Sequence, residues 1–242
     1  VNLSVLIAFR DSEDGHRGRL WSFLEKQYAR WLPGAEVIVE SDDGEDPFHK
    51  TLALNRAAAK ATRDLILIGD ADTWVPHNQV LRAVQLITEN EKMWGRPWNQ
   101  KVKLGQDDTE ELLGLTSWDE GLKPLWERHG RLENRNTYWA APPTLVTREQ
   151  FFRAGGMDER FRGWGKEDEA FCLTLRSLVG KPQQVRGYSI HLWHPRIGKS
   201  GNDHWEGETD HRDRNNALVR AYDKASRYPD RMAELVASRE EM

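Results

Sequence analysis

The chain has 242 residues, 38% of them hydrophobic, enough for one substantial core, and carries 35 Lys and Arg against 39 Asp and Glu for a formal net charge of −4. That balance excludes a global electrostatic pull toward nucleic acid or an anionic membrane; a nucleic-acid partner would need a local basic patch and is not favoured. The single Cys172 excludes an intrachain disulfide framework and fits a reducing compartment, and without an apolar run of membrane-spanning length or a charged-then-apolar leader the expectation is a cytoplasmic protein.

The first ninety residues alternate strand and helix signals. Leu3 to Phe9 is a short, continuous apolar run, and Leu20, Phe23, Leu24, Tyr28, Trp31 and Leu32 then recur at helical spacing. "AEVIVES" is strand-like again, "HKTLALNRAAAKAT" is an Ala-rich helix, "DLILIG" is a third buried strand, and "HNQVLRAVQLITEN" is a helix entered after Pro76. Three βα units in succession predict an α/β fold with a mostly parallel central sheet flanked by helices. Such sheets bind ligands beyond the carboxyl ends of their strands, here after Phe9, Ser41 and Gly69. Each of those ends is polar: Arg10-Asp11, Asp42-Asp43 and Asp70-Ala71-Asp72.

From about Glu91 the chain loses periodicity and gathers Trp, Gly, Pro and charge, which predicts long loops with a short helix near Asp119 to His129, a composition suited to a substrate lid. Regular signals return with a strand "TLVT", a helix "REQFFRAGG" closed by Gly155-Gly156, and a strand within "QVRGYSIHLWHP"; the end, from about Asp210, is charged and mostly helical. One domain is therefore expected over 1–242, with a binding half (1–90), an insertion (91–137), a catalytic half (138–200) and a helical tail (201–242). Of eleven Trp, those at 94, 98, 164, 193 and 205 sit in polar, Gly-rich contexts; they either stack on sugars or pin core and loops.

Three constellations carry chemistry. Asp70 and Asp72 end a buried strand, and two carboxylates there repel unless a divalent cation neutralises them; the alternative is a solvated turn with an Asx-type bond. His191 and His194 lie at a late strand end that turns at Pro195, where His194, with His191 as companion, can join a metal. The oxygen-rich setting suits Mn²⁺ or Mg²⁺ better than a hydrolase zinc. The third is "FRGWGKEDEAF", in which Gly163 and Gly165 turn the backbone around Trp164 and Glu167-Asp168-Glu169 open a helix. An aromatic platform beside paired acids is what a sugar site needs, although first-turn acids are also ordinary helix starts.

Taken in order, "AFRD" (Ala8 to Asp11), "FHKTLALNRAA" (Phe48 to Ala58), "DAD", "GWGKED" and "HLWH" resemble the motifs of GT-A-fold glycosyltransferases, in particular the family 2 enzymes and the β1,4-galactosyltransferase and chondroitin-polymerase groups. The resemblance implies a metal-dependent transfer from a nucleotide sugar, a UDP-sugar first, to an acceptor hydroxyl, with inversion. Under it, Ala8, Arg10, Asp42 or Asp43, Lys50, Asn55, Asp70 and Ala71 contact the nucleotide sugar. Asp70, Asp72, His191 and His194 hold Mn²⁺ or Mg²⁺, Asp168 is the general base, and Trp164 and Glu167 grip the acceptor.

Departures bound what the resemblance implies. Where the galactosyltransferases carry a Gly-Gly pair shaping the sugar pocket, this chain has Ala140-Ala141-Pro142-Pro143, so the sugar need not be galactose. "DAD" and "KED" differ from the Asp-x-His pattern of the retaining N-acetylgalactosaminyl enzymes. A nucleotidyltransferase would need a Gly-rich phosphate loop that "FRDSEDGHRGR" lacks. A non-catalytic sugar-binding protein on a degenerate transferase fold is the other competitor. The acceptor, whether glycan, protein or another hydroxyl-bearing molecule, is not written in the sequence.

Overall fold

The computed structural model describes residues 1–44, 47–90, 93–114, 131–132, 140–163, 165–195 and 208–239. The expected alternation is present in β1 (Leu3–Ala8), α1 (His16–Trp31), β2 (Glu36–Glu40), α2 (Lys50–Lys60), β3 (Leu65–Asp70), a two-residue β4 (Thr73–Trp74) and α3 (His77–Glu89), which Pro76 introduces. β1 lies between β2 and β3, parallel to both, and Ala8 stands level with Glu40 and Asp70. The carboxyl ends of all three strands therefore open on one edge.

Period-two alternation divides the strand side chains between two layers. Leu3, Val5, Ile7, Leu65 and Leu67 pack with Leu20, Leu24 and Tyr28 of α1 and Val80 and Ile87 of α3. Leu6, Ile66 and Ile68 face Leu54, Ala57 and Ala58 of α2, a helix whose small residues suit close approach to the sheet. Leu24 and Ile66 are fully buried, worth about 2 kcal/mol each in transfer free energy.

The α/β class holds, with a mixed central sheet in the order β2-β1-β3-β8-β5-β9. Here β5 is Gly95–Arg96, β8 is Thr144–Thr147 and β9 is Gln183–Gln184. β8 runs antiparallel to β3 and β5. A βα crossover imposes parallel pairing only on the strands it joins, and β8 is not reached from β3 by one such crossover. A smaller sheet, β4-β10-β6-β7, is built from β10 (Tyr188–His191), β6 (Gln100–Lys103) and β7 (Arg131–Leu132).

The stretch read as loops thus supplies strands to both sheets, together with α4 (Gln106–Leu113); strands of two to four residues are too short to show a period. The helix expected at Asp119 to His129 lies outside the described residues. Trp94 and Trp98 are buried pins rather than sugar platforms, their indole N–H groups donating to the Gly180 and Pro143 carbonyls at 2.6 and 3.0 Å. Trp205 lies outside the described residues.

α5 (Arg148–Arg153) starts in a reciprocal cap between Thr147 and Gln150 and ends at Gly155 and Gly156, with φ of 71° and 63°. α6 (Glu167–Leu178) then carries the acidic first turn, and the tail forms α7 (Glu208–Ala225) and α8 (Pro229–Ala237). The tail is packed against α6: Phe161, Ala170 and Leu173 share a cluster with Val219, Tyr222 and Met232. Beside it, the Asp158 carboxylate accepts from the Tyr222 hydroxyl at 2.6 Å and from Arg160 at 2.8 Å. Among the described residues no helix is long and apolar enough to cross a membrane.

Burial opposes ionisation of Asp158, but its bonds to Arg160 and Tyr222 and the charge of Arg239 outweigh it and hold this carboxyl below its usual range. Its stabilising contribution is present above the ordinary carboxyl range and is lost as pH falls through the depressed value. Asp158→Ala is expected to cost about 3 kcal/mol at pH 7 in urea unfolding, because Arg160 and Tyr222 lose the carboxylate they share, and measurably less near pH 3. An equal loss at both pH values would mean that packing, not charge, is what Asp158 contributes.

Candidate active site

Two side-chain groups stand at the carboxyl edge, and Asp70 and Asp72 belong to different ones. β3 ends at Asp70 and the chain turns at Ala71 and Asp72, so the shared face expected of an extended segment does not apply. Asp70 turns to Lys50, with Oδ1 at 3.0 Å from Nζ. Asp72 faces two histidines.

The partners of Asp72 come from the smaller sheet. β4 pairs antiparallel with β10 so that Thr73 stands opposite His191, and the Leu192 amide donates to the Asp72 carbonyl at 2.8 Å. His191 Nε2 thereby lies 3.7 Å from Asp72 Oδ1, and His194 Nε2 lies 3.4 Å from Oδ2. One ligand atom from each of Asp72, His191 and His194 falls within 4.8 Å of the others, the separation a single ion can bridge. The Pro195 carbonyl is 3.0 Å from His194 Nδ1; taking the proton there leaves Nε2 with its lone pair free to ligate.

One carboxylate and two imidazoles form a donor set that fits Mn²⁺ and other first-row ions, and suits Mg²⁺ less well because that ion prefers oxygen. Burial opposes ionisation of Asp72, yet His191, His194, Arg17 and Lys101 hold its carboxyl below the usual range. Burial also pushes His191 down despite Asp72, so its ring is neutral at pH 7.

The second group centres on Lys50, at the first position of α2. Its ammonium, half-buried at the strand-end edge, reaches Asp70 at 3.0 Å, Glu167 Oε1 at 3.2 Å and Asp168 Oδ2 at 2.9 Å. One ammonium cannot neutralise three carboxylates. Burial raises the Asp168 carboxyl to about 8; Lys50 opposes the rise, while Glu167 and Asp70 add to it. Lys50 is held well above its ordinary value: burial works against the charge, and Asp168, Asp70 and Glu167 more than compensate. Among the described residues, Glu167 Oε2 is buried without a hydrogen-bond partner.

The loop ahead of α6 aims these acids. Gly163, Gly165 and Lys166 have φ of 67°, 97° and 81°, and Lys166 is the non-glycine residue in the left-handed region among the described residues. The conformation is held from the tail: Asn215 on α7 donates to the Arg162 and Gly165 carbonyls at 2.9 and 3.1 Å. Asn215 carries no motif signal, and only its contacts identify it. Under the transfer that the motif resemblance implies, Asn215→Ala is expected to lower activity at least about tenfold while leaving donor binding unchanged, because the loop ahead of Glu167 loses its clamp. Equal losses in both would place Asn215 in general folding. Trp164 lies outside the described residues.

The remaining predicted contacts are placed as follows. Arg10 lies over the Phe48 ring at 5.1 Å and 3.8 Å from Asp42, whose carboxylate also accepts from the His49 amide at 2.9 Å. Asp43 is the exposed member of its pair and bonds Arg56 at 2.8 Å. Ala8 ends β1 level with Asp70, and Ala71 is half-buried at the turn. Asn55 is occupied on both ends of its amide, donating to the Met157 carbonyl and accepting from the Met157 amide at 2.9 and 2.8 Å, so it ties α2 to the loop after α5. Arg17, Lys101 and Asn215 are the site residues that strand-end chemistry did not single out.

A family model described as the N-terminal domain of galactosyltransferase matches residues 136–194, the span that carries Glu167, Asp168, His191 and His194. No curated protein matches the chain. Among solved structures, glucosyl-3-phosphoglycerate synthase from Mycobacterium tuberculosis, in complex with Mn²⁺, UDP-glucose and phosphoglyceric acid, is similar at a TM-score of 0.51 and 15% identity, over 93% of this chain and 79% of that one. The catalytic domain of Drosophila β1,4-galactosyltransferase 7, in complex with xylobiose, gives a TM-score of 0.45 at 17% identity, and this chain, 76% covered, spans 63% of its length. GalNAc-T7 with UDP, GalNAc and Mn²⁺ gives 0.45 at 15% identity, over 79% of this chain and 44% of that one. The fold is that of the GT-A glycosyltransferases, as the ordered motifs implied.

Proposed function

We propose that this GT-A-fold chain is a metal-dependent glycosyltransferase that moves a sugar from a UDP-sugar to an acceptor hydroxyl with inversion. The observation that carries the proposal is the pairing, on one sheet edge, of the Asp72–His191–His194 group with the Lys50–Asp70–Glu167–Asp168 cluster. Asp72, His191 and His194 hold a divalent ion, Mn²⁺ first, with Asp70 beside them facing the ribose. Such an ion, when bound, supplies positive charge to the departing diphosphate. The base and ribose lie toward Arg10, Phe48 and Asp42, and Ala8 and Ala71 bound the cleft.

Glu167 and Asp168 act on the acceptor. Glu167 Oε2, buried and unpartnered among the described residues, takes a hydrogen bond from one acceptor hydroxyl, and Trp164 packs the face of its ring. Asp168 takes the proton of the attacking hydroxyl as that oxygen bonds to the anomeric carbon and the bond from carbon to the diphosphate oxygen breaks. UDP leaves with the electron pair. Lys50 keeps Asp168 and Asp70 aligned across the cleft.

A nucleotidyltransferase is disfavoured by the start of α1. There the Asp11 carboxylate accepts from the Ser12 and Gly18 amides at 2.8 and 2.6 Å, and Asp14 accepts from His16 at 3.0 Å, so acids sit where a triphosphate would need free amides.

Isothermal titration with UDP, with and without Mn²⁺, followed by a panel of UDP-sugars scored for transfer and hydrolysis, tests the reading. Binding that needs Mn²⁺ supports it, and the preferred sugar names the reaction. Absence of UDP binding with any divalent ion would reject a UDP-sugar donor.

A further inference from the structure

Arg17 is the second residue of α1, and its guanidinium is placed against the metal-ligand group rather than in solvent. Nη1 lies 3.7 Å from Asp72 Oδ2, and Nη2 lies 3.3 Å from His194 Nδ1. Its amide is held in turn by the Ser12 hydroxyl at 3.2 Å, which ties the start of α1 to the loop after β1. The side chain keeps 29% of its surface exposed, so it has room to move.

Both contacts of Arg17 would weaken with Asp72 and His194 serving as ligands. A carboxylate that neutralises a divalent ion no longer draws the guanidinium as strongly. A His194 ring that ligates through Nε2 carries its proton on Nδ1, which then donates to the Pro195 carbonyl and offers Arg17 a hydrogen instead of a lone pair. Arg17 would thereby be left as a cation at the rim of a positive site, and the stable arrangement is one in which an anion bridges Arg17 and the bound ion.

Resting on the UDP-sugar reading above, we propose that Arg17 is a diphosphate-positioning residue that trades its place on Asp72 for the donor's diphosphate when the metal site fills. With the donor absent, Arg17 holds the Asp72 charge and competes with the cation. With the donor present, it gives two or more directed N–H groups to phosphate oxygens, the task for which a planar guanidinium is best shaped. Metal and nucleotide diphosphate then bind with positive coupling through one side chain.

The test compares wild type, Arg17→Met and Arg17→Lys. Free Mn²⁺ is followed by electron paramagnetic resonance, and UDP and uridine are titrated calorimetrically at saturating Mn²⁺. Arg17→Met is expected to bind Mn²⁺ alone a few-fold more tightly, since a competing cation is gone, and to bind UDP about 10- to 100-fold more weakly, with uridine unchanged. Arg17→Lys, which keeps the charge but loses the fork, falls between. UDP affinity equal in wild type and Arg17→Met would overturn the proposal while leaving the donor site intact, and so would weaker binding of Mn²⁺ alone, which would make Arg17 a prop of the ligand group. Wild type that binds neither Mn²⁺ nor UDP would reject the underlying reading itself. If Arg17→Met fails to melt cooperatively, Arg17→Lys decides by the same UDP comparison.

Discussion

Asp72→Ala is expected to abolish Mn²⁺-dependent UDP binding and transfer while leaving the melting temperature nearly unchanged. Asp72 is the one carboxylate of its ligand group. Without it, Arg17 faces two imidazoles, and the site repels the cation it is proposed to hold. Substitution of groups that merely orient ligands costs about 10- to 100-fold in metal affinity, so loss of the sole anionic ligand is expected to cost about 100-fold or more. Stability changes little because the partner left behind is partly exposed and can be solvated. Mn²⁺ resonance, UDP titration and a thermal melt check the three parts. A large drop in melting temperature with Mn²⁺-dependent binding retained would instead make Asp72 a structural carboxylate.

Asp168→Asn is the second large effect. It is expected to lower the transfer rate about 10²- to 10⁴-fold with UDP affinity preserved, since the substitution removes a proton acceptor and keeps its shape. A carboxyl raised to about 8 holds its proton at neutral pH. Wild-type transfer is therefore expected to rise with pH through about 8 and level off above it. Lys50→Met should move that limb upward, because Lys50 opposes the rise.

The linkage has the corresponding sign. A group whose folded value lies above its unfolded one contributes stability below the unfolded value and loses it as pH rises through the folded one. Asp168→Asn is thus expected to melt at or above the wild-type temperature at pH 7.5, with the difference shrinking near pH 4. A flat pH–rate profile with full activity in Asp168→Asn would remove Asp168 from proton transfer.

Much of the edge proposed to carry this chemistry was legible in advance, for local reasons. The apolar runs at Leu3, Glu36 and Leu65 are strands because they alternate with amphipathic or Ala-rich segments of helical spacing, and the parallel register follows from that alternation. Acids directly after such strands can only face the open edge. Gly155-Gly156 and the glycines at 163 and 165 were readable as turns since their backbone conformation excludes most other residues.

Other readings failed where long-range contacts compete with local pattern. Trp94 and Trp98 have polar neighbours in sequence yet are buried through partners 86 and 45 positions away. Asp70 and Asp72 share a motif but not a partner, because the turn after β3 sends one carboxylate to α2 and the other to β10. The tail was legible only as charged and mostly helical, whereas Asn215 on it braces the loop that presents Glu167 and Asp168, and Tyr222 holds Asp158.

By itself, then, the sequence determined the α/β alternation, the polar strand ends and the acidic start of α6, all of which rest on periodicity and turn chemistry acting within a few residues. Only the tertiary structure decided that β10 lies beside β4, bringing His191 and His194 to Asp72, and that Lys50 joins Asp70 to an Asp168 lying 118 positions beyond Lys50 in the chain. The reason is physical. Local spacing sets which face a side chain takes, but the pairing of distant strands and the burial of a charge among distant partners depend on the whole chain closing at once.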